Sequence, residues 1–352
     1  MEFGLSQEQI LLQDSVNKFL TDQAPLSEVR EIASGESGDA DIWRGLAELG
    51  ITGLLIPEAN GGVGLGCLDA AVVAECLGYH VTPGPFITSA AMAPISLLAA
   101  GKDELLAKIA AGEHRVGIAF GEAIGARNDA GITVTDASMT GKCIFVLDAD
   151  ADSYLIATPD KKIFLANADA VERKPLTTVD KTRSTCELIL NDVVVELISD
   201  DPEVYERTLD IGRVMQAADT LGAAQSMVDQ AVAYAKERRQ FNRVIGSFQA
   251  VKHMCAEMAA NLEPCRSMIW YAGHAMDDVP EEARLVACHA KAHLSEVGKF
   301  ISKTATEVHG GMGFTDLVGL HYWFKRIGAN RQLLGSPELV REEAARLQGL
   351  AA

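Results

Sequence analysis

The sequence predicts a mainly α-helical protein with a small central β domain. Three observations carry that expectation. Apolar residues recur at helical spacing from Ile10 to Leu20 and again in segments reaching about Ala111. From Arg115 to about Ser199 the chain turns to short alternating runs rich in Val, Ile and Thr. From about Pro202 the helical period returns in unusually long segments. A chain of 352 residues, 48% of them hydrophobic, is long enough for more than one core. The expected division is an N-terminal helical domain over residues 1–112, a β domain over 113–200 and a C-terminal helical bundle over 201–352.

In order, Ser6 with Gln9 three residues on reads as a capping box opening a helix that runs to Pro25. A second helix spans about Asp41 to Leu49 and stops at Gly50. Residues 51–66 form a Gly-rich connection. Gly61, Gly62, Gly64 and Gly66 fit either a tight loop between helices or a phosphate cradle. A strongly apolar helix follows from Leu68 to Tyr79, and Pro83, Pro85 and Pro94 divide the next helical stretch. Strands are expected at residues 116–120, 132–134, 143–147, 153–158, 163–165 and 187–190, separated by turn residues at the spacing of a sandwich or barrel. Helices near 203–236, 247–277 and 280–309, with a shorter one near 336–349, imply a four-helix bundle broken at the corner Gly310-Gly311.

Composition removes several function classes. A formal net charge of -18 argues against nucleic acid or an anionic membrane as partner, so an anionic ligand needs a local basic site. Seven scattered cysteines without a Cys-x-x-Cys pair fit free thiols in a reducing cytoplasm rather than a disulfide framework or a metal site. The start Met1-Glu2-Phe3-Gly4 has no basic region before an apolar core, so no signal peptide is expected, and no apolar run is long enough for a membrane span.

The stretch Glu237 to Gln249 breaks the helical pattern with Arg238, Arg239 and Arg243 around Phe241 and Phe248. A solvated helix end explains the charges but not the two rings. Guanidinium forks clamp phosphate oxygens and an aromatic face stacks on a base, so a nucleotide cofactor answers to both.

Arg238-x-x-Phe241 followed by Ile245 and Gln249, the turn Glu307-Val308-His309-Gly310-Gly311-Met312-Gly313-Phe314, and Pro57-Glu58-Ala59-Asn60-Gly61-Gly62 resemble, in the same order, signatures of the acyl-CoA dehydrogenase family. The resemblance implies that family's fold, with an N-terminal helical domain, a middle β-barrel or sandwich and a C-terminal four-helix bundle. It implies α,β-dehydrogenation of an acyl-CoA thioester, with FAD taking a hydride and a protein carboxylate removing the α proton. Carried over residue by residue, it places Arg238, Gln240, Phe241, Phe248, Gln249, Glu307, Gly310 and Gly311 on the nucleotide half of FAD, in the family the FAD of a neighbouring subunit. Asp210 and Arg213 match positions that contact CoA, although two charges three apart on a helix are as readily a surface ion pair.

The departures cluster around the flavin ring and the base. Glu307 stands where the family has Gln near the diphosphate, where a carboxylate repels phosphate unless protonated or paired; His309 is one partner, or a packed corner histidine. Asn242 replaces a Gly. The flavin-ring loop at Gly121-Glu122-Ala123-Ile124-Gly125-Ala126-Arg127-Asn128 keeps only Glu122, and the strand Phe145-Val146-Leu147 has leucine where the family has a hydrogen-bonding Thr. The two alternative positions of the catalytic Glu fall at Gly212 and Leu334, neither a carboxylate. Asp210, Asp316 and Glu338 are the substitute candidates.

The pattern resembles the short, degenerate subunit of bacterial α2β2 acyl-CoA dehydrogenases that shorten steroid side chains. On that expectation the chain is a non-catalytic or weakly catalytic subunit acting with a second subunit on a steroid side-chain or fatty acyl-CoA. Two alternatives stand beside it: a self-sufficient homotetramer with a relocated base, and a non-enzymatic acyl-CoA-binding scaffold.

Overall fold

The computed structural model of the protein describes residues 4–125 and 131–351, so the start at Met1-Glu2-Phe3 and the loop positions Ala126, Arg127 and Asn128 lie outside the described residues. α1 (Gln7–Gln23) opens on the expected capping box, with the Gln9 N–H donating to Ser6 Oγ and the Ser6 N–H to Gln9 Oε1. α2 (Leu26–Ser34) is an addition to the sequence reading; its 9 residues between Pro25 and Gly35 are too few to show a period. α3 (Ala40–Glu48) and α4 (Cys67–Tyr79) follow, then a π-helical segment over Phe86–Met92 that runs into α5 (Ala93–Ala99) and α6 (Asp103–Ala110). The Gly-rich connection is a tight loop and not a phosphate cradle. The amides of Gly62, Val63, Gly64 and Leu65 already donate to the carbonyls of Pro57, Gly53, Ile56 and Leu54.

The strands are β1 (Val116–Ala119), β2 (Thr133–Thr135), β3 (Ser138–Leu147), β4 (Ser153–Ala157), β5 (Ile163–Asn167), β6 (Glu172–Pro175), β7 (Thr185–Val194) and β8 (Glu196–Ser199). They form one sheet in the order β6-β7-β3-β1-β4-β5-β8, with β2 paired to β3 and β1 parallel to β4. β6 and β8 escaped the sequence reading because edge strands need no apolar alternation: Glu172, Arg173, Lys174 and Pro175 are all exposed.

α7 (Pro202–Glu237), α8 (Gln249–Asp278) and α9 (Pro280–His309) are the three long helices; a two-stranded hairpin, β9 (Arg239–Gln240) with β10 (Arg243–Val244), joins the first two. The bundle is completed by α10 (His321–Gln332) and α11 (Pro337–Leu347), of which the sequence reading foresaw only the latter. α10 hides its inward face behind polar letters, because Arg326 and Asn330 are among its buried residues. α7 is the axis, buried without interruption from Thr208 to Ala224 and therefore lacking an amphipathic pattern through its middle. Its closest approach is to α4, where a Cβ on Gly222 would land on the Glu75 carbonyl oxygen and one on Gly78 on that of Asp219. Gly222→Ala is therefore expected to cost about 3 kcal/mol of stability by forcing the two helices apart, read as a drop in the urea midpoint at unchanged slope.

Candidate active site

Where the β sheet, the π-helical segment and the bundle meet there is a cleft of about 660 Å³, a volume suited to a small-molecule ligand. One wall is a row across three neighbouring strands. Thr185 of β7 stands directly opposite Leu147 of β3, which in turn stands opposite Ile118 of β1, and all three line the cleft. Phe145, two residues before Leu147, also lines it; its backbone is left-handed (φ 54°) beside a register break in the strand, and its ring is 48% exposed. The other wall is Gln216 of α7 with Leu333, Leu334, Gly335 and Leu339.

The charged groups around the cleft are internally matched. Arg115 donates bidentately to Asp39 and also to Asp148, tying the N-terminal helices to the sheet. Arg183 bonds Asp219 at 2.6 Å and Asn330 at 2.7 Å, while the wholly buried Arg326 bonds Asp180 at 2.8 Å and Asp219 at 3.1 Å. Lys291, buried beside them, donates to Gln216 Oε1 and to the Asn330 carbonyl; burial and then the neighbouring arginine charges push its pKa down. None of these residues was singled out from the sequence, because their roles depend on contacts between separate segments of the chain, 146 residues apart for Arg326 and Asp180.

The two positions at which the sequence reading looked for a base come together, and neither offers space. A Cβ on Gly212 would sit 2.6 Å from Met92 Sδ and 2.7 Å from Leu334 Cδ1. Leu334 itself is 6% exposed, with a left-handed backbone (φ 57°) whose carbonyl accepts from Arg213 Nε at 3.1 Å. Arg213 is fully engaged: it also bonds Glu343 at 2.8 Å, Asp210 at 3.4 Å and Cys288 Sγ at 3.5 Å. Asp210 and Arg213, expected to touch the CoA portion of substrate, line no part of the cleft, and they form a buried ion pair rather than a surface one. The substitute bases fare no better. Glu338 is exposed and paired with Arg331, and Asp316 is exposed beside His321; both stand off the cleft.

The expected nucleotide-binding residues lie elsewhere, at the far end of α7. Gln240-Phe241-Asn242-Arg243 makes a two-residue hairpin with φ 50° at Phe241 and 61° at Asn242. Asparagine tolerates that conformation, which accounts for Asn242 in place of a Gly. Phe241 does not favour it, yet holds it with an 88% exposed ring set edge-on to Phe248 at 6.1 Å, and the Arg243 guanidinium lies over the Phe248 ring at 3.9 Å. Arg238, Gln240, Gln249, Glu307, Gly310 and Gly311 are likewise exposed. The α7 and α9 ends are pinned together by Tyr234 stacked on His309 at 4.6 Å. His309 is a packed corner histidine and not a partner for Glu307. It is buried, its Nδ1 bonds the Ala305 carbonyl, and burial lowers its pKa, so it stays neutral.

Asp210 makes the site's packing pH-dependent. Burial pushes its pKa up to about 7, against the opposing charges of Arg213 and Arg284, while Glu343, hydrogen-bonded to Arg213 at 2.8 Å, is the carboxylate held below its usual range. Its folded pKa lies above the unfolded value, so its contribution is fully present below about pH 4 and is lost as pH rises through 7. Between pH 5 and 8 the wild type should lose a few kcal/mol relative to Asp210→Asn, whose stability should be flatter over that range; denaturant titrations at each pH measure the difference.

Residues 6–113 match the family model described as acyl-CoA dehydrogenase, N-terminal domain, and residues 203–348 match acyl-CoA dehydrogenase, C-terminal domain. The chain is 30% identical to the acyl-CoA dehydrogenase IpdE2 of Mycolicibacterium smegmatis over 98% of its own length and 99% of that protein's. Among solved structures it is similar to a variant of the Tcur3481–Tcur3483 steroid ACAD (27% identity, TM-score 0.86, covering 97% of this chain and 98% of that one). It shares its fold with the ChsE4–ChsE5 complex from Mycobacterium tuberculosis (23% identity, TM-score 0.90, covering 100% of each chain). Members of this family depend on FAD. With helices, then a central sheet, then a helical bundle in the same order, and with both terminal domains matched, this chain belongs to the acyl-CoA dehydrogenase family.

Proposed function

We propose that this chain is the subunit of a heteromeric acyl-CoA dehydrogenase that completes a partner's FAD site while carrying no base of its own. The observation that carries the reading is a separation. Arg238 caps the end of α7, twenty-two residues beyond the cleft-lining Gln216, a rise of about 33 Å along the helix. The cationic hairpin is thus turned away from this chain's own cleft and toward whatever packs on the bundle's end. Packing supports the second half: Met92 and Leu334 fill the space into which a carboxylate at Gly212 would project.

In this reading Arg238, Gln240, Phe241, Phe248, Gln249, Gly310 and Gly311 hold the nucleotide half of FAD bound by the partner, with Glu307 at the rim, where solvent screens its repulsion of the diphosphate. The partner supplies the flavin-ring pocket and the carboxylate that takes the α proton. The structural relative named as a steroid ACAD makes a steroid side-chain acyl-CoA the first substrate to try, ahead of a fatty acyl-CoA. Asp210 and Arg213 then act as positioning residues for the 334–336 loop rather than as contacts to CoA. The assembly operates in the cytoplasm, in keeping with seven thiols free of disulfides, six of them buried. Among the described residues no helix is long and apolar enough to cross a membrane.

The test is to purify the chain alone and together with an acyl-CoA dehydrogenase subunit that retains its Glu. Alone, it should retain no stoichiometric FAD through dialysis and form no enoyl-CoA; the complex should do both. Arg238→Ala should weaken FAD retention by the complex about ten- to a hundredfold, the worth of a charge-assisted phosphate contact. Stoichiometric FAD with brisk turnover in the isolated chain would refute the proposal.

A further inference from the structure

The turn at Gly310–Phe314 is held on both sides, and one of the two holds comes from the other end of the chain. On the entry side Tyr234 stacks on His309. On the exit side Thr315 folds back on Met312, its N–H and its hydroxyl both donating to that carbonyl. The next two carbonyls, of Asp316 and Leu317, accept from Arg30 Nη2 at 2.5 and 3.1 Å. Arg30 belongs to α2, 286 residues before Asp316, among the N-terminal helices.

Among the described residues no carboxylate pairs with the Arg30 guanidinium, and its hydrogen bonds go to the backbone of this one segment. A charged donor on a carbonyl makes a stronger bond than a neutral one. The segment needs such a hold because it gains little from burial: Phe314 is 81% and Leu317 77% exposed. Gly319 lets it come this close. That glycine is buried at φ 73°, and a Cβ there would lie 2.8 Å from Leu26 Cδ2 and 3.1 Å from Arg30 Nη2.

The corner held in this way is open on its outer side. Gly311 has no positive φ, and a Cβ on it or on Gly310 would meet none of the described residues within 4 Å. Packing within the chain therefore gives no reason for glycine at 311, whereas close approach of a ligand to the backbone does. A turn that receives an anion on its own N–H groups binds best when it is fixed beforehand, since otherwise binding bears the cost of ordering it.

We propose that Arg30 is a positioning residue for the Gly310-Gly311 corner: from α2 it fixes the carbonyls of Asp316 and Leu317 and so holds the corner ready for the diphosphate of a partner's FAD. This rests on the reading that the corner serves that cofactor, and it extends the support of the site into the N-terminal helices.

Amide hydrogen exchange on the isolated full chain reads the clamp without any cofactor. Arg30→Ala should speed exchange over residues 312–320 about tenfold while the middle of α7 stays as protected as in the wild type, a contrast that a general loss of stability would not give. In the two-subunit complex, at unchanged subunit stoichiometry, Arg30→Ala should weaken FAD retention about three- to tenfold. Gly319→Ala, which pushes the segment off an intact Arg30, should do the same, and Arg30→Lys, which keeps a charged donor, should fall between Arg30→Ala and the wild type. Unchanged exchange over 312–320 in Arg30→Ala, exchange raised equally throughout the chain, or Arg30→Lys as impaired as Arg30→Ala would overturn the proposal. If the wild-type complex retains no FAD, the proposed function fails and this inference with it; if the wild type and Arg30→Ala retain FAD equally, only the role of Arg30 fails.

Discussion

A helix buried on every side cannot carry an unpaired charge, and α7 carries three in its middle turns: Asp210, Arg213 and Asp219. Much of the architecture around the cleft is the set of partners those three require. Asp219 draws in Arg183 from the loop before β7 and Arg326 from α10, and Arg326 reaches on to Asp180 and to the Thr82 carbonyl. A single buried knot thereby joins the N-terminal helices, the sheet and the bundle. Arg213 draws in Glu343 from α11, Glu343 draws in Arg284 from α9, and Arg284 reaches Glu206, which meets Lys161 from the turn between β4 and β5. Removing a member of the buried part, Asp219, Arg326, Asp180 or Arg213, strands its neighbour in a low-dielectric interior, which is why such pairs are costly to break even where a hydrophobic replacement of the whole set would be tolerated.

The same geometry explains which parts were legible in the sequence. α7, α8 and α9 were visible because length and period are local properties, and so was the capping box at Ser6. The break between α7 and α8 was legible for a related reason: arginines and aromatics gathered in one short segment interrupt the helical period locally. α10 was hidden because its buried positions are Arg326 and Asn330, letters that read as surface until Asp180 and Asp219 are known to lie opposite. Thr185 was hidden more deeply. Nothing in Ser184-Thr185-Cys186 sets the threonine apart, and its position opposite Leu147 follows from strand pairing that no local pattern encodes.

Two features of the site pull in opposite directions, and both are physical. At the base positions the interior is closed by packing: Met92 arrives on the π-helical segment, Leu334 on a left-handed turn held by Arg213, and their side chains meet over the bare Cα of Gly212. π-helical turns are irregular and recur at functional sites, and here the irregularity sets Met92 against α7. A few residues away the wall formed by β7, β3 and β1 has kept its opening. The absence of a carboxylate at 212 and 334 has therefore not meant collapse of the cleft.

Charge balance gives a reason why the base positions could go apolar without penalty. Around Arg213 the acidic side already comprises Asp210, Glu343 and Glu206, set against Arg213, Arg284 and Lys161. The acids match the cations in number, and even so burial leaves Asp210 protonated over part of the neutral range, with a pKa of about 7. A further carboxylate at 334, with its backbone carbonyl already on Arg213, would be a fourth acid among three cations. It would have to stay neutral or displace Glu343, and displacing Glu343 would free Arg284 as well. Leucine at 334 and glycine at 212 avoid that conflict, so the arrangement that leaves these two positions without a carboxylate also leaves the charges around Arg213 paired.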